Sequence, residues 1–249
     1  MTIRLSLAAL LAVMAAAAAL ALLSAAQVTA DSGRTDNFTI RAGALVEAIY
    51  LNNNGVADDL ANLEAAINAA GGEHLTNLEV IRNESENHPI THVVFLQWSD
   101  PSRRSALTGS AAWDVIDDHI TDLGFFGVRG DTSVELHEDR IYDATHAWTI
   151  AKSPEQMQVV MQVIGRYFQA ITPVLKEYKI ATKAFFGPAP GVSDPNFPTY
   201  SPQIFGLFEW QSLEDVEKFR SDERWLKSVD IRDATFERDE DTYFTRVMF

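Results

Sequence analysis

An acid inside an apolar run is costly unless it has a partner or a task. The segment from 203 to 210 reads QIFGLFEW, with Glu209 between Phe208 and Trp210, and Arg232 lies in the stretch that follows. As a functional pair, Glu209 would act as a base and Arg232 would stabilise a carboxylate or enolate. As a structural pair, they would form a salt bridge. His146, in the run ATHAWTIA, is the leading histidine for proton transfer and His119 the next. Either could equally be a hydrogen-bonded core histidine. Trp98, Trp148, Trp210, Phe185 and Phe186 are of the type that lines an aromatic pocket or fills a core. His88 and His92 are spaced for a metal, but Pro89 lies between them and no third ligand follows at a telling distance, so no metal is expected. No glycine-rich phosphate loop, nucleophile elbow or diagnostic carboxylate pair occurs.

These residues sit in a chain that writes one unit twice. FLQWSDPSRRSALTGSAAW begins at Phe95 and LFEWQSLEDVEKFRSDERW at Leu207. A shift of 112 positions pairs Trp98 with Trp210, Leu107 with Phe219 and Trp113 with Trp225. Asp100 before Pro101, and Ser212 three residues before Asp215, are matching helix-start signals. Extending outward, the first half reads as a strand over 38–51, a helix over 58–70, strands over 78–83 and 91–98, mostly helix over 102–123, and one or two strands after it. The second half reads as a strand over 144–151, a long helix opened by Ser153-Pro154, strands over 182–186 and 203–210, a helix over 213–229, and a final strand over 243–249. Pro173 should kink that long helix or split off its last turn. Each half is therefore strand, helix, strand, strand, helix, strand, an α+β ferredoxin-like βαββαβ unit. The units span 31–140 and 141–249. Both faces of the strand ending at Trp210 are apolar, so its second face must be covered, most simply by the other half's sheet.

Residues 1–30 read as a signal peptide. Arg4 precedes an apolar run from Leu5 to Leu23, and Val28 and Ala30 suit a signal-peptidase site, so cleavage after Ala30 and a periplasmic or secreted location are expected. Retention as a membrane anchor is the alternative. The chain has no Cys, so an exported form would hold by packing alone. Its formal charge of −15 disfavours nucleic acid and anionic membrane surfaces as partners.

The arrangement resembles the dimeric α/β-barrel superfamily, written here as a tandem pseudo-dimer packed sheet to sheet. Within it, the chain is similar to the branch catalogued as domain of unknown function 1330. That branch's pattern falls on Ser212, Glu214, Phe219, Trp225 and Arg232, with Asp222 where a Ser is usual. The first half offers Asp100, Ser102, Leu107, Ser110, Trp113 and Ile120 at the same places, keeping the Ser and losing the Arg. The likeness is close over about 140–249 and looser over 38–140. It implies a monomeric pseudo-dimer that binds a small hydrophobic or aromatic molecule, with Glu209, His146 and Arg232 as candidate catalytic residues and Trp98, Trp148, Trp210, Phe185 and His119 as candidate ligand contacts. The alternatives are a cofactor-independent monooxygenase or isomerase, or a barrel filled by its own side chains. Some members of the superfamily bind haem through a single histidine; no motif here matches, and no cofactor is expected.

Overall fold

The computed structural model describes residues 33–52, 57–85, 89–128, 130–150, 154–188, 203–233 and 237–249. The signal segment, His88 and most of the Pro- and Gly-rich stretch before Gln203 lie outside these residues. The first unit comprises β2 (Leu45–Leu51), α1 (Ala57–Ala70), β3 (Glu73–Asn83), β4 (His92–Trp98), the short helices α2 (Arg104–Thr108) and α3 (Ala111–Ile116), and β5 (Ile120–Gly127). The second comprises β7 (Ile141–Ile150), α4 (Pro154–Glu177), β8 (Ala181–Pro188), β9 (Gln203–Trp210), α5 (Leu213–Arg220), α6 (Glu223–Asp233) and β10 (Glu237–Val247). Two further strands, β1 (Thr35–Ile40) and β6 (Thr132–His137), pair with each other outside both units.

Each unit orders its strands fourth, first, third, second, and the two sheets join into one closed barrel, β10-β3-β4-β2-β5-β8-β9-β7. The fourth strand of each unit pairs with the second strand of the other, so each half supplies the edges that close its partner. The two joins differ. β10 and β3 match over five residue pairs from Tyr243↔Asn83 to Val247↔Leu78, whereas β5 and β8 match at Phe126↔Pro188 and Gly127↔Gly187.

Several local features depart from the sequence expectations for identifiable reasons. The first strand-like run is broken into β1 and β2 by a turn at Ala42 and Gly43, where Gly43 takes a φ of 76° that a side chain would strain. The helical region after Trp98 ends at His119 rather than Leu123, because Ile120 turns to extended backbone and pairs with Leu51. Pro173 removes one backbone donor but does not split α4, which continues to Glu177.

Three apolar layers hold the molecule. One packs α1 to α3 on the outer face of the first sheet around Ile49, Leu63, Leu96 and Trp98. Another packs α4 to α6 on the second sheet around Val174, Trp210, Val216 and Phe219. The third fills the barrel with Phe95, Phe126, Phe186, Phe205, Tyr50, Tyr142 and Tyr243, all at most 3% exposed. Ile40, Val134 and Leu136 of the β1–β6 pair join this inner layer and close the barrel end at which β4 and β9 finish.

Candidate functional site

Polar residues on the inner face concentrate at the two barrel ends, and the two ends are built differently. At the end under β1 and β6, Gln97, Tyr142 and Glu209 hold the closure. Gln97 accepts from the Arg41 amide at 2.9 Å and donates to the Thr39 carbonyl at 2.8 Å. In the second unit the equivalent position, 112 residues on, is Glu209, which is 4% exposed. Lys183 Nζ lies 2.7 Å from Glu209 Oε2, and the Tyr142 hydroxyl donates to the same oxygen at 3.2 Å. Tyr142 also accepts from the His137 amide, tying β6 down. Glu209 is thus a paired closure residue.

Arg232 does not meet it. That guanidinium pairs with Asp233 at 2.7 Å and lies over the Tyr167 ring, 4.8 Å from its centroid. The reason is geometric: α6 packs against α4 on the outside of the sheet, whereas Glu209 points into the barrel. Lys183, on the strand beside Glu209, was not singled out in the sequence, where it reads as a surface lysine.

The opposite end carries a different group. The first strands of the units align Leu45 with Ile141, since each opposes the matched tryptophan of the third strand, Trp98 or Trp210. Tyr50 and His146 therefore occupy equivalent positions and meet inside the barrel. Their rings stack with centroids 5.6 Å apart and planes 6° from parallel. Asp122 pairs across from Tyr50 and Asp241 across from His146, so a carboxylate flanks each ring from its own unit. Asp122 Oδ2 also lies 3.7 Å from His146 Nδ1, across the unit boundary. Ser85 donates to Asp241, and Tyr243 lies 5.6 Å from Tyr50.

His146 is fully buried, with the Phe126 ring edge-on at 5.0 Å. Gly124 is required beside it, because a Cβ there would come within 2.6 Å of Phe126 and 3.3 Å of His146. The Asp122 side chain keeps 29% of its exposure, so the group reaches solvent through it. Tyr50 is 1% exposed, and its hydroxyl has no hydrogen-bond partner among the described residues. Burial, followed by the charges of Asp122, Tyr243 and Asp241, raises the Tyr50 hydroxyl well above its ordinary range, so it stays a donor at physiological pH. Tyr243 is raised for the same first reason.

The aromatic candidates do not line one pocket. Trp98 is in the first outer layer, where its Nε1 donates to Glu47 at 2.9 Å. Trp210 is in the second outer layer, packed edge-on to Phe219. Phe185 faces Phe168 of α4, and Phe186 fills the barrel. His119 ends the helical stretch before β5, where its carbonyl accepts from Asn52. The Trp148 side chain lies outside the described residues. Among the described residues, no group of three or more His, Cys, Asp or Glu is placed to hold a metal ion. Tyr50 was missed because a tyrosine in a strand reads as core; only its alignment with His146 marks it.

No family model matches the chain, and no curated protein matches it by sequence. Solved structures do match in shape. An anthrone oxidase-like protein is 13% identical over 85% of this chain and 94% of its own, with a TM-score of 0.51. A chlorite dismutase variant from Candidatus Nitrospira defluvii is 13% identical over 84% and 93%, with a TM-score of 0.48. A protein assigned as a monooxygenase from Lactobacillus acidophilus is 7% identical over 83% and 98%, with a TM-score of 0.39. At this identity the likeness concerns the fold, and the chain has the dimeric α/β-barrel fold, closed within a single polypeptide.

Proposed function

We propose that the protein binds a small aromatic molecule carrying a hydrogen-bonding oxygen, at the barrel end formed by Tyr50, His146 and Asp122. The observation that carries this reading is the buried Tyr50 hydroxyl, which has no hydrogen-bond partner among the described residues. Leaving such a group unsatisfied costs about 1–3 kcal/mol, and a ligand oxygen would recover it. The surrounding Phe126, Tyr243 and Phe205 supply the apolar walls typical of small-molecule sites. Calorimetric titration with 2-naphthol and naphthalene tests it. 2-Naphthol should bind about tenfold more tightly, and Tyr50→Phe should erase that difference while stabilising the free protein by about 1 kcal/mol. Equal binding of the two probes, or no binding of either, would sink the reading.

A second reading is favoured by the Asp122 carboxylate beside His146 Nδ1. There His146 is the base of a cofactor-independent monooxygenase acting on an enolisable aromatic ketone. The substrate CH2 loses both hydrogens, one atom of dioxygen becomes the new carbonyl oxygen and the other leaves as water. Likeness to the anthrone oxidase-like fold makes anthrone a reasonable probe. The oxygen electrode should then show uptake that His146→Ala abolishes; no uptake above the spontaneous rate excludes this substrate.

The pattern from Ser212 to Arg232 also supports kinship with the branch named in the sequence analysis, through packing rather than chemistry. Ser212 caps α5, and Phe219 packs edge-on to Trp210 and at a tilt to Trp225. Export with cleavage after Ala30 stands on the Arg4, Leu5–Leu23 and Val28–Ala30 pattern. The intact mass of the protein recovered from a bacterial periplasm should begin at Asp31.

A further inference from the structure

The two ends of the barrel treat their inner acids differently. At the closed end Glu209 meets Lys183 at 2.7 Å, so the chain supplies the cation itself. At the other end two acids share the inner face with the stacked rings. Asp122 lies across from Tyr50 and Asp241 across from His146, and cross-strand partners project to the same side of a sheet. Asp241 accepts from Ser85, and Asp122 Oδ2 stands 3.7 Å from His146 Nδ1, longer than a hydrogen bond. The charges of both carboxylates reach the Tyr50 hydroxyl.

That hydroxyl turns an acidic patch into a site. Tyr50 is 1% exposed, and among the described residues nothing accepts from its O–H. A buried donor calls for an acceptor, and the acids beside it call for a cation; one molecule can bring both. The rings of Tyr50 and Tyr243, with centroids 5.6 Å apart, favour a cation over an anion. The Asp122 side chain keeps 29% of its exposure, so an ammonium paired with it stays partly hydrated and avoids the full cost of charge burial. The formal charge of −15 draws cations toward the molecule as a whole.

We infer that the ligand of this end is a cationic aromatic amino alcohol, whose hydroxyl oxygen accepts from Tyr50 while its ammonium pairs with Asp122 and Asp241. The inference rests on the binding reading above and narrows it to a class of molecule. Tyr50 and Asp122 are direct cross-strand neighbours, so the ligand's oxygen and nitrogen lie close together, on adjacent carbons of a short side chain. The aromatic ring packs on Phe126 and Phe205 of the inner layer. The same two carboxylates reject a carboxylic acid or phosphate ester of similar shape, since like charges brought together without water are strongly unfavourable.

Calorimetric titration of the full chain at pH 7 with 2-amino-1-(2-naphthyl)ethanol and with the neutral 1-(2-naphthyl)ethanol tests it. The amine should bind about tenfold more tightly, and Asp122→Asn and Asp241→Asn should each cut that ratio to about threefold or less. Both substitutions keep the side chain's size and an acceptor oxygen, so they remove charge and little else. Equal affinity of the two probes, or tighter binding of the alcohol, would overturn the charge assignment and leave the binding reading standing. A tenfold advantage that persists in both variants would also overturn it, because the amine would then be held by the acidic surface at large. Binding of neither probe would sink the binding reading together with this one. If neither variant folds, competition decides: the amine should displace 2-naphthol from the wild type, and independent binding of the two overturns the assignment.

Discussion

Arg104→Ala lowers the unfolding free energy by about 3–5 kcal/mol at pH 7 in urea denaturation, one of the two largest single effects expected in this protein. Glu47 is 0% exposed in the middle of β2, and Arg104 contacts one of its oxygens through two nitrogens, at 2.8 and 2.7 Å. Truncating Arg104 leaves Glu47 with Trp98 as its one remaining partner among the described residues and strands a charge in an apolar layer. It also removes the guanidinium from above the Trp113 and Phe125 rings. Adding Glu47→Gln to Arg104→Ala should recover part of the loss, since a neutral amide costs less to bury than an unpaired carboxylate. A loss below about 1 kcal/mol would mean that water reaches Glu47 once the arginine is gone.

Glu47 also shows what could and could not be read from the sequence. The logic that singled out Glu209, an acid inside an apolar run, applies equally to LVEAIYL, and both acids prove to be buried and cation-paired. Periodicity does not reveal the partner. Arg104 and Lys183 look like surface residues in one dimension, and only strand register and helix placement bring them to their carboxylates. The tandem βαββαβ order was legible because caps, tryptophans and apolar faces repeat at a single spacing of 112 residues. That same spacing concealed the candidate site. The first strands align at 96 residues, sixteen fewer, and α4 with 24 residues where α1 has 14 accounts for ten of these, so the shift that pairs the tryptophans does not pair Tyr50 with His146.

Phe205→Ala should cost a further 3–5 kcal/mol or so, and its outcome bears directly on whether the barrel is packed or hollow. Phe205 lies at the centre of the inner layer, with ring centroids 5.0 Å from Phe95, 5.5 Å from Phe126 and 5.5 Å from Phe186. It is fully buried and pairs across the sheet with His146. In a barrel filled by its own side chains, removing this ring leaves a void that three neighbouring aromatics cannot close without leaving their rotamers. The void would open beside Tyr50 and His146, so naphthalene should bind the variant more tightly than the wild type and return part of the lost stability, as apolar cavities do for apolar guests. A cost under about 1 kcal/mol, with no gain in naphthalene affinity, would show that Phe205 lines space already open in the wild type. The ligand would then enter the barrel's middle instead of stopping at its polar end, and Phe95 and Phe186 would join Tyr50 as its contacts.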